Sequence, residues 1–132
     1  MYLVDTSVWI DYLGGAETEI AERFSEALDR GYPFGITGVI YQEVLQGVSS
    51  QGDFDRLSEY LGSQRFYHPE DPVGSYREAA RLYFRCRRAG ITIRSATDCL
   101  IAQVAIENDL LLLHGDQDFE RIVQVVPELQ LA

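Results

Sequence analysis

Short apolar segments alternate with helix-forming segments along the whole chain. Three of these segments have the length and composition of strands: YLV at 2–4, PFGI at 33–36 and LLLL at 110–113. QRFYH at 64–68 and VQVV at 123–126 are two further candidate strands. Strands joined by helices form right-handed crossovers, which build a parallel sheet covered by helices on both faces. The 132 residues therefore predict one three-layer α/β/α domain over 1–132, with a central, mostly parallel sheet.

The helices of the first half begin at residues that favour N-caps and end at glycines. A second helix is expected to carry Ile20, Phe24 and Leu28, four positions apart, and to stop at Gly31. Asp53 is the expected cap of a fourth helix, which lies between PFGI and QRFYH. The other predicted caps and their terminating glycines are Thr6 or Ser7 with Gly14, and Thr37 with Gly47.

Two long helices and one short helix are predicted in the second half. The first spans about 73–89, with Tyr76, Ala80 and Tyr83 on its apolar face. The next is expected to be capped by Ser95 or Thr97 and to end near residue 108. A short helix is predicted at 119–123, before VQVV as the last strand.

Composition excludes several classes of protein. The chain is 46% hydrophobic and 24% charged, which is ordinary for a globular protein. Its apolar runs are far shorter than the roughly 20 residues of a membrane span, and no basic segment leads into a signal sequence, so we expect a soluble cytoplasmic protein without membrane contact. The two cysteines lack the spacing of zinc ligands and are interpreted as small buried thiols.

The positive charge is concentrated in one short segment. The net charge is −10, and all 11 basic residues are arginines. Six of them lie between 77 and 94, where Glu78 is the one acid. On the helix over 73–89, four arginines form a stripe expected to lie opposite the apolar face, either as a solvated surface or as a track for phosphates. The stripe consists of Arg77, Arg81, Arg85 and Arg88.

Several acids are predicted to converge at the carboxyl end of the sheet. Asp5 directly follows the first strand, Asp98 lies in the first turn of its helix, and Asp116 and Asp118 follow LLLL. Glu43 is the fifth acid expected there, inside the helix after PFGI and about one and a half turns from its cap. Each acid has an ordinary explanation near a helix N-terminus, but a group of converging carboxylates must be protonated or held by a cation. Because no His or Cys accompanies them, Mg²⁺ or Mn²⁺ is the expected ion.

Four motifs in this order resemble those of a known family. They are VDTSVWIDYL, ITGVIYQEVLQG, the ATDCLIAQ segment and HGDQDFERI, and the resemblance extends over essentially the whole chain. Their order and spacing are similar to those of PIN domains, specifically the VapC-type toxin ribonucleases. The resemblance implies a compact α/β/α fold with a parallel sheet, usually a homodimer, acting as a Mg²⁺-dependent ribonuclease inhibited by a cognate antitoxin.

The resemblance also implies the site residues. By position, the catalytic acids are Asp5, Glu43, Asp98 and Asp116, and the metal ligands are Asp5, Asp98, Asp116 and Asp118. Asp116 is the preferred late ligand, with Asp118 as a helper or the ligand of a second ion. The substrate would be RNA, with transfer or ribosomal RNA as candidates, and the products would carry 5′-phosphate and 3′-hydroxyl ends.

Side chains around these acids have two interpretations. Thr6, Ser7 and Thr97 either cap their helices or orient the carboxylates through hydrogen bonds. Arg87 and Arg94 are the preferred RNA contacts because they lie nearest the start of the Asp98 helix, and Arg85 is the third candidate.

Three alternatives remain from the sequence. A phosphotransfer domain with Asp5 as nucleophile would need a second aspartate at position 7, which is Ser. A non-catalytic binding module of the same fold would need no intact acid set, yet every acid position is filled. A PIN nuclease of RNA processing without an antitoxin is the third; a small reading frame next to the gene would distinguish it from the toxin.

Overall fold

The computed structural model describes all 132 residues and contains one sheet of five parallel strands. The order across the sheet is β3-β2-β1-β4-β5. This arrangement confirms the predicted α/β class, and it confirms QRFYH and LLLL as the locations of strands. The strands are β1 (Tyr2–Val4), β2 (Phe34–Thr37), β3 (Arg65–Tyr67), β4 (Leu111–Leu113) and β5 (Gln130–Leu131).

Seven helices connect the strands and pack in two groups. Contacts link α1 to α2 and α3, and α3 to α4, whereas α5, α6 and α7 contact one another. Right-handed crossovers place these two groups on opposite faces of the sheet. No helix combines the length and the apolarity required to cross a membrane. The helices are α1 (Thr6–Leu13), α2 (Glu19–Asp29), α3 (Gly38–Gln46), α4 (Gln51–Gly62), α5 (Gly74–Arg88), α6 (Ala96–Glu107) and α7 (Gln117–Val125).

The core fills the space between the sheet and both helix groups. Strand residues such as Leu3 and Leu112 are completely buried. On the α1 side, the Trp9 ring packs against Phe24 at a centroid distance of 4.8 Å. On the other side, Cys86 and Cys99 are buried and free, as predicted for small core thiols. The buried apolar residues form one continuous cluster of 25 residues around the sheet.

The predicted last strand, VQVV, is wrong. Residues 117–125 form α7, and β5 lies later, at Gln130–Leu131. Phe119, Ile122 and Val126 are all completely buried and recur three and four positions apart. This helical period places one apolar face on the core, so it overrides the strand propensity of the valines.

Several predicted caps differ from those observed. Asp5, not Thr6 or Ser7, is the N-cap of α1, and its side chain accepts a hydrogen bond from the Ser7 backbone N–H. Ser50 caps α4, one turn before the predicted Asp53. In both cases a polar residue upstream of the predicted cap accepts a hydrogen bond from a free N–H group of the first turn. Thr37 caps α3 as predicted.

The buried face of α5 is rotated from the predicted one. The buried positions are Ser75, Ala79, Leu82 and Cys86, whereas Tyr76 is 52% exposed and Ala80 is exposed. Small side chains allow α5 to approach α6 closely, and the large tyrosines lie at the edge of this contact. The aromatic surface of α5 is therefore partly exposed to solvent. The prediction that the arginine stripe lies opposite a buried tyrosine face is wrong.

Candidate active site

The acids meet where the strand order reverses. β1 pairs with β4, with Val4 opposite Leu113, and the Asp5 backbone N–H continues the ladder by donating to the Leu113 carbonyl at 3.0 Å. From this pair the chain progresses to β2 and β3 on one side and to β5 on the other. In open parallel sheets this reversal leaves a crevice at the carboxyl ends of the strands. Asp5 and the loop after β4 therefore lie at the same crevice.

Asp5 is almost completely buried and is oriented by Ser7. Its Oδ2 accepts hydrogen bonds from the Ser7 backbone N–H at 3.0 Å and from Ser7 Oγ at 2.5 Å. Ser7 Oγ also accepts from the Gly115 backbone N–H at 2.9 Å. Burial raises the pKa of Asp5, the bonds from Ser7 oppose that rise, and the charge of Asp116 adds to it. The serine thus connects the acid of β1 to the loop after β4.

Asp98 carries the largest electrostatic perturbation of the site. It lies in the first turn of α6, is 6% exposed, and its Oδ2 is buried without a hydrogen-bond partner. Burial, together with the charges of Asp116 and Asp5, raises its pKa to about 8. An unpartnered buried carboxylate oxygen is costly unless a proton or a cation compensates it.

Asp116 and Asp118 begin α7. Asp116 is the N-cap, and its Oδ1 accepts from the Asp118 backbone N–H at 2.9 Å. Asp118 is 1% exposed, and both of its oxygens have donors. Its Oδ2 accepts from the Arg94 backbone N–H at 3.0 Å, and its Oδ1 accepts from Arg121 Nη1 at 2.7 Å. Each oxygen of Asp118 therefore has a hydrogen-bond donor, whereas one buried oxygen of Asp98 has none.

Three of these carboxylates form a compact cluster. Asp98, Asp116 and Asp118 each offer an oxygen, and these oxygens lie within 4.8 Å of one another. Asp5 borders the cluster and interacts electrostatically with Asp98 and Asp116. An all-oxygen donor set with one unpartnered buried oxygen fits a hard divalent cation such as Mg²⁺ or Mn²⁺.

Glu43 lies on α3 and is connected to α1 and not to the cluster. It is half-buried, and its Oε1 accepts a hydrogen bond from Thr6 Oγ1 at 2.9 Å. Thr97, in contrast, shares a hydrogen bond of 2.7 Å with Ser95 Oγ and has no bond to a carboxylate. The structure thus places Thr6 and Ser7 against predicted acids and places Thr97 against a hydroxyl.

The predicted RNA-contacting arginines occupy three different environments. Arg94 lies beside the acids, with Nε 3.5 Å from Asp118 and Nη2 3.8 Å from Asp116. Arg85 pairs with Glu128 at 2.9 Å, which ties α5 to the chain after α7. The guanidinium of Arg87 lies 6.0 Å from the Tyr83 ring centroid. Of the three, Arg94 alone contacts the acid cluster.

Sequence reasoning missed Arg121. This residue is on α7, three positions after Asp118, which is the spacing of an ion pair on a helix. That spacing was the available signal. It is easily missed because Arg121 lies outside the segment in which the other arginines are concentrated.

Comparisons with known proteins identify the family of this chain. Residues 2–124 match the family model of the PIN domain. The chain is 32% identical over 129 residues to the VapC ribonuclease Mb1587 of Mycobacterium bovis and equally to ribonuclease VapC11 of Mycobacterium tuberculosis, covering 95% of this chain and 93% of each relative.

Solved structures with the same fold were also found. A crystal structure of VapBC2 from Rickettsia felis bound to a promoter DNA fragment aligns with a TM-score of 0.74 at 18% identity, over 99% of this chain and 96% of that one. FitAcB from Neisseria gonorrhoeae aligns with a TM-score of 0.69 at 19% identity, over 92% of this chain and 93% of that one. The chain belongs to the PIN-domain family and is a relative of the VapC ribonucleases.

Proposed function

We propose that this protein is a divalent-metal-dependent endoribonuclease, the toxin of a toxin–antitoxin pair, that hydrolyses RNA phosphodiester bonds. The observation that carries the proposal is the unpartnered buried oxygen of Asp98 in a cluster of three carboxylates at the crevice of the sheet. The relatives that share a third of its residues over nearly the whole chain are named as ribonucleases, which supports RNA as the substrate.

The metal ligands that we propose are Asp5, Asp98 and Asp116, with Asp118 in an auxiliary role. Asp98 has a free oxygen, and Asp116 and Asp5 contribute the charges that most perturb it. Both oxygens of Asp118 already accept hydrogen bonds, so it is better suited to hold the cluster in place than to replace Asp116. Mg²⁺ is the expected ion, and Mn²⁺ is the alternative.

The side chains around the acids restrict their motion. A divalent ion held by Asp5, Asp98 and Asp116 would supply positive charge that stabilises the phosphate oxygens and activates water as the nucleophile. Ser7 holds Asp5 in one orientation through two hydrogen bonds. Thr6 holds one oxygen of Glu43, which we propose as the fourth catalytic acid. Fixed carboxylates do not have to reorganise during the reaction, which lowers its barrier.

Access of RNA to an acidic protein requires local positive charge. Arg94 lies at the cluster and is the first proposed RNA contact, and Arg87 and Arg85 on α5 are the more distant candidates. Transfer RNA and ribosomal RNA are the candidate substrates. We infer that the protein acts in the cytoplasm, where both are found.

The proposed protein partners are a cognate antitoxin and a second copy of the chain. The structural relatives include a VapBC complex and FitAB complexes, which supports the antitoxin. A net charge of −10 favours a basic inhibitory segment whose arginine could neutralise the acids. Tyr76 and Phe84 on α5 are each more than half exposed, which leaves an apolar area suited to a homodimer contact.

The test is cleavage of cellular RNA by purified, antitoxin-free protein. We expect cleavage with Mg²⁺ and none with EDTA. Asp98→Asn should reduce the rate by more than about 100-fold, because even outer-shell changes at metal sites cost 10- to 100-fold. Asp29→Asn, which removes the same charge from an exposed position on α2, should cleave like the wild type. A folded wild type that cuts no cellular RNA would leave a very narrow RNA substrate or a non-catalytic binding module. Assays on individual transfer RNAs and ribosomal RNA sites then separate the two, and no cleavage of any of them would favour the binding module.

A further inference from the structure

A polar pocket lies beside the acid cluster, on the far side of Asp118. It has a volume of about 520 Å³ and is bordered by the end of α5, the loop that leads to α6, and α7. No acid lines it, and Ile91 is its one apolar side chain. The lining residues are Gly90, Ile91, Thr92, Arg94, Arg121 and Gln124.

Asp118 holds both arginines of this pocket. Its carboxylate is buried, accepts the short bond from Arg121 Nη1 at 2.7 Å, and lies 3.5 Å from Arg94 Nε. Its other oxygen accepts from the Arg94 backbone N–H, which fixes the loop carrying that side chain. A buried carboxylate with a donor on each oxygen anchors two arginines that approach it from different parts of the chain.

The charge of the pocket is unusual for this chain. Asp118 contacts both guanidiniums and Asp116 lies 3.8 Å from Arg94 Nη2, but neither acid lines the pocket, whose charged lining residues are the two arginines. The Arg94 and Arg121 side chains are 71% and 42% exposed, which leaves N–H donors of both available to a ligand. Thr92 and Gln124 add a hydroxyl and an amide. Planar guanidiniums with neighbouring polar donors match the geometry of a phosphate.

We propose that Arg94 and Arg121 bind a backbone phosphate of the RNA substrate, next to the phosphodiester that is cut at the acids, and that Asp118 is the positioning residue for both. The inference rests on the proposed function, because the acid cluster defines where the cut phosphodiester lies. It extends that function by assigning the polar pocket to a neighbouring phosphate of the same strand. RNA repeats one phosphate per nucleotide, so a strand held at the acids brings further phosphates to adjacent surfaces.

The test measures RNA binding without cleavage. Fluorescence anisotropy of a short fluorescein-labelled single-stranded RNA in EDTA compares the wild type with Arg94→Gln, Arg121→Gln and the control Arg56→Gln. Arg56 lies on α4, pairs with Asp53, and has a 75% exposed side chain, so its replacement removes the same charge away from the pocket. Each pocket variant should weaken binding by about 10-fold relative to the control, and should reduce the slope of log K against log salt by about 0.7.

Two results would overturn the pocket assignment. The first is binding by Arg94→Gln that equals binding by Arg56→Gln. Because the Arg94 side chain is largely exposed, this variant remains informative even if Arg121→Gln fails to fold. The second is binding of polyglutamate that is lost in both pocket variants, while both variants bind RNA as the control does. That outcome would assign the pocket to an acidic protein.

Cleavage separates this inference from the proposed function. Wild-type protein that cuts RNA with Mg²⁺, while both pocket variants bind RNA like the control, would overturn the pocket and leave the ribonuclease proposal standing. Wild-type protein that neither binds nor cuts RNA would overturn both. Weaker RNA binding by both variants, with the control unchanged, would support the assignment.

Discussion

The Ser7 hydroxyl joins the two halves of the active-site crevice to each other. Its Oγ donates to Asp5 Oδ2 at 2.5 Å and accepts from the Gly115 N–H at 2.9 Å. Ser7 and Gly115, which are 108 positions apart in sequence, are thereby joined by one hydrogen bond at the adjacent ends of β1 and β4. The orientation of Asp5 therefore depends on Ser7, which is not itself one of the proposed metal ligands.

Replacing Ser7 should weaken metal binding more than folding. Ser7→Ala removes the hydroxyl but keeps the backbone bond to Asp5, so we expect a 10- to 100-fold loss of Mg²⁺ affinity or of activity. The measurement is RNA cleavage as a function of Mg²⁺ concentration. The control is Ser58→Ala, which removes an exposed hydroxyl that bonds only the Asp55 carbonyl. Equal Mg²⁺ dependence in the two variants would contradict the role assigned to Ser7.

The raised pKa of Asp98 should make the metal-free protein less stable as the pH increases. The folded-state pKa of about 8 exceeds the ordinary value of 3.8, so between these values the folded protein holds a proton that the unfolded chain has lost. Its contribution to stability is complete below the ordinary pKa and is lost as the pH rises through about 8. Denaturant unfolding in EDTA at several pH values measures this slope.

Asp98→Asn should remove that part of the slope, because the amide does not titrate. Asp29→Asn should keep it, since this exposed residue is outside the cluster. Mg²⁺ should stabilise the wild type more at pH 9 than at pH 6, because the bound ion requires the deprotonated carboxylate. An unchanged slope in Asp98→Asn would show that Asp98 does not titrate as described.

Much of this architecture could be predicted because strand, acid and helix follow one another directly. Asp5 comes straight after β1, and Asp116 comes shortly after β4, so the parallel topology alone brings them to one edge. The buried face of α5 could not be predicted in the same way. Its small residues and its tyrosines give two apolar stripes, and the approach of α6 decides between them.

The environment of Asp118 depends on contacts that no local pattern contains. The spacing to Arg121 is readable as an ion pair on one helix, but the bond from the Arg94 backbone N–H joins residues 24 positions apart. The sequence predicts five acids at the crevice, and the structure brings Asp98, Asp116 and Asp118 together while Glu43 bonds Thr6 instead. The sequence does not reveal that both oxygens of Asp118 have hydrogen-bond donors, or that one oxygen of Asp98 has none.

Gly35 is required by the close packing of β2 against β3. A Cβ there would lie 2.8 Å from the Arg65 carbonyl oxygen and 2.5 Å from the Tyr67 ring. Gly35→Ala should therefore cost about 1–3 kcal/mol of unfolding free energy, as overpacking does elsewhere. Gly38→Ala is the control, because a Cβ at that position meets nothing within 4 Å. Denaturant unfolding of both variants measures the difference, and equal stability would show that β3 can shift to accept the methyl group.

The hydrogen bond from Thr6 to Glu43 should affect the rate of cleavage more than the fold. Thr6→Val keeps the shape of the side chain but removes the 2.9 Å bond to Oε1, so Glu43 is free to rotate. A bond to a charged group is worth about 1.5–3 kcal/mol, and we expect kcat to fall by about 10-fold or more. Thr6→Ser retains the hydroxyl and should recover most of the rate. Thermal melts of both variants check the fold, and a Thr6→Ser variant as slow as Thr6→Val would place the effect in the packing of the methyl group and not in the orientation of Glu43.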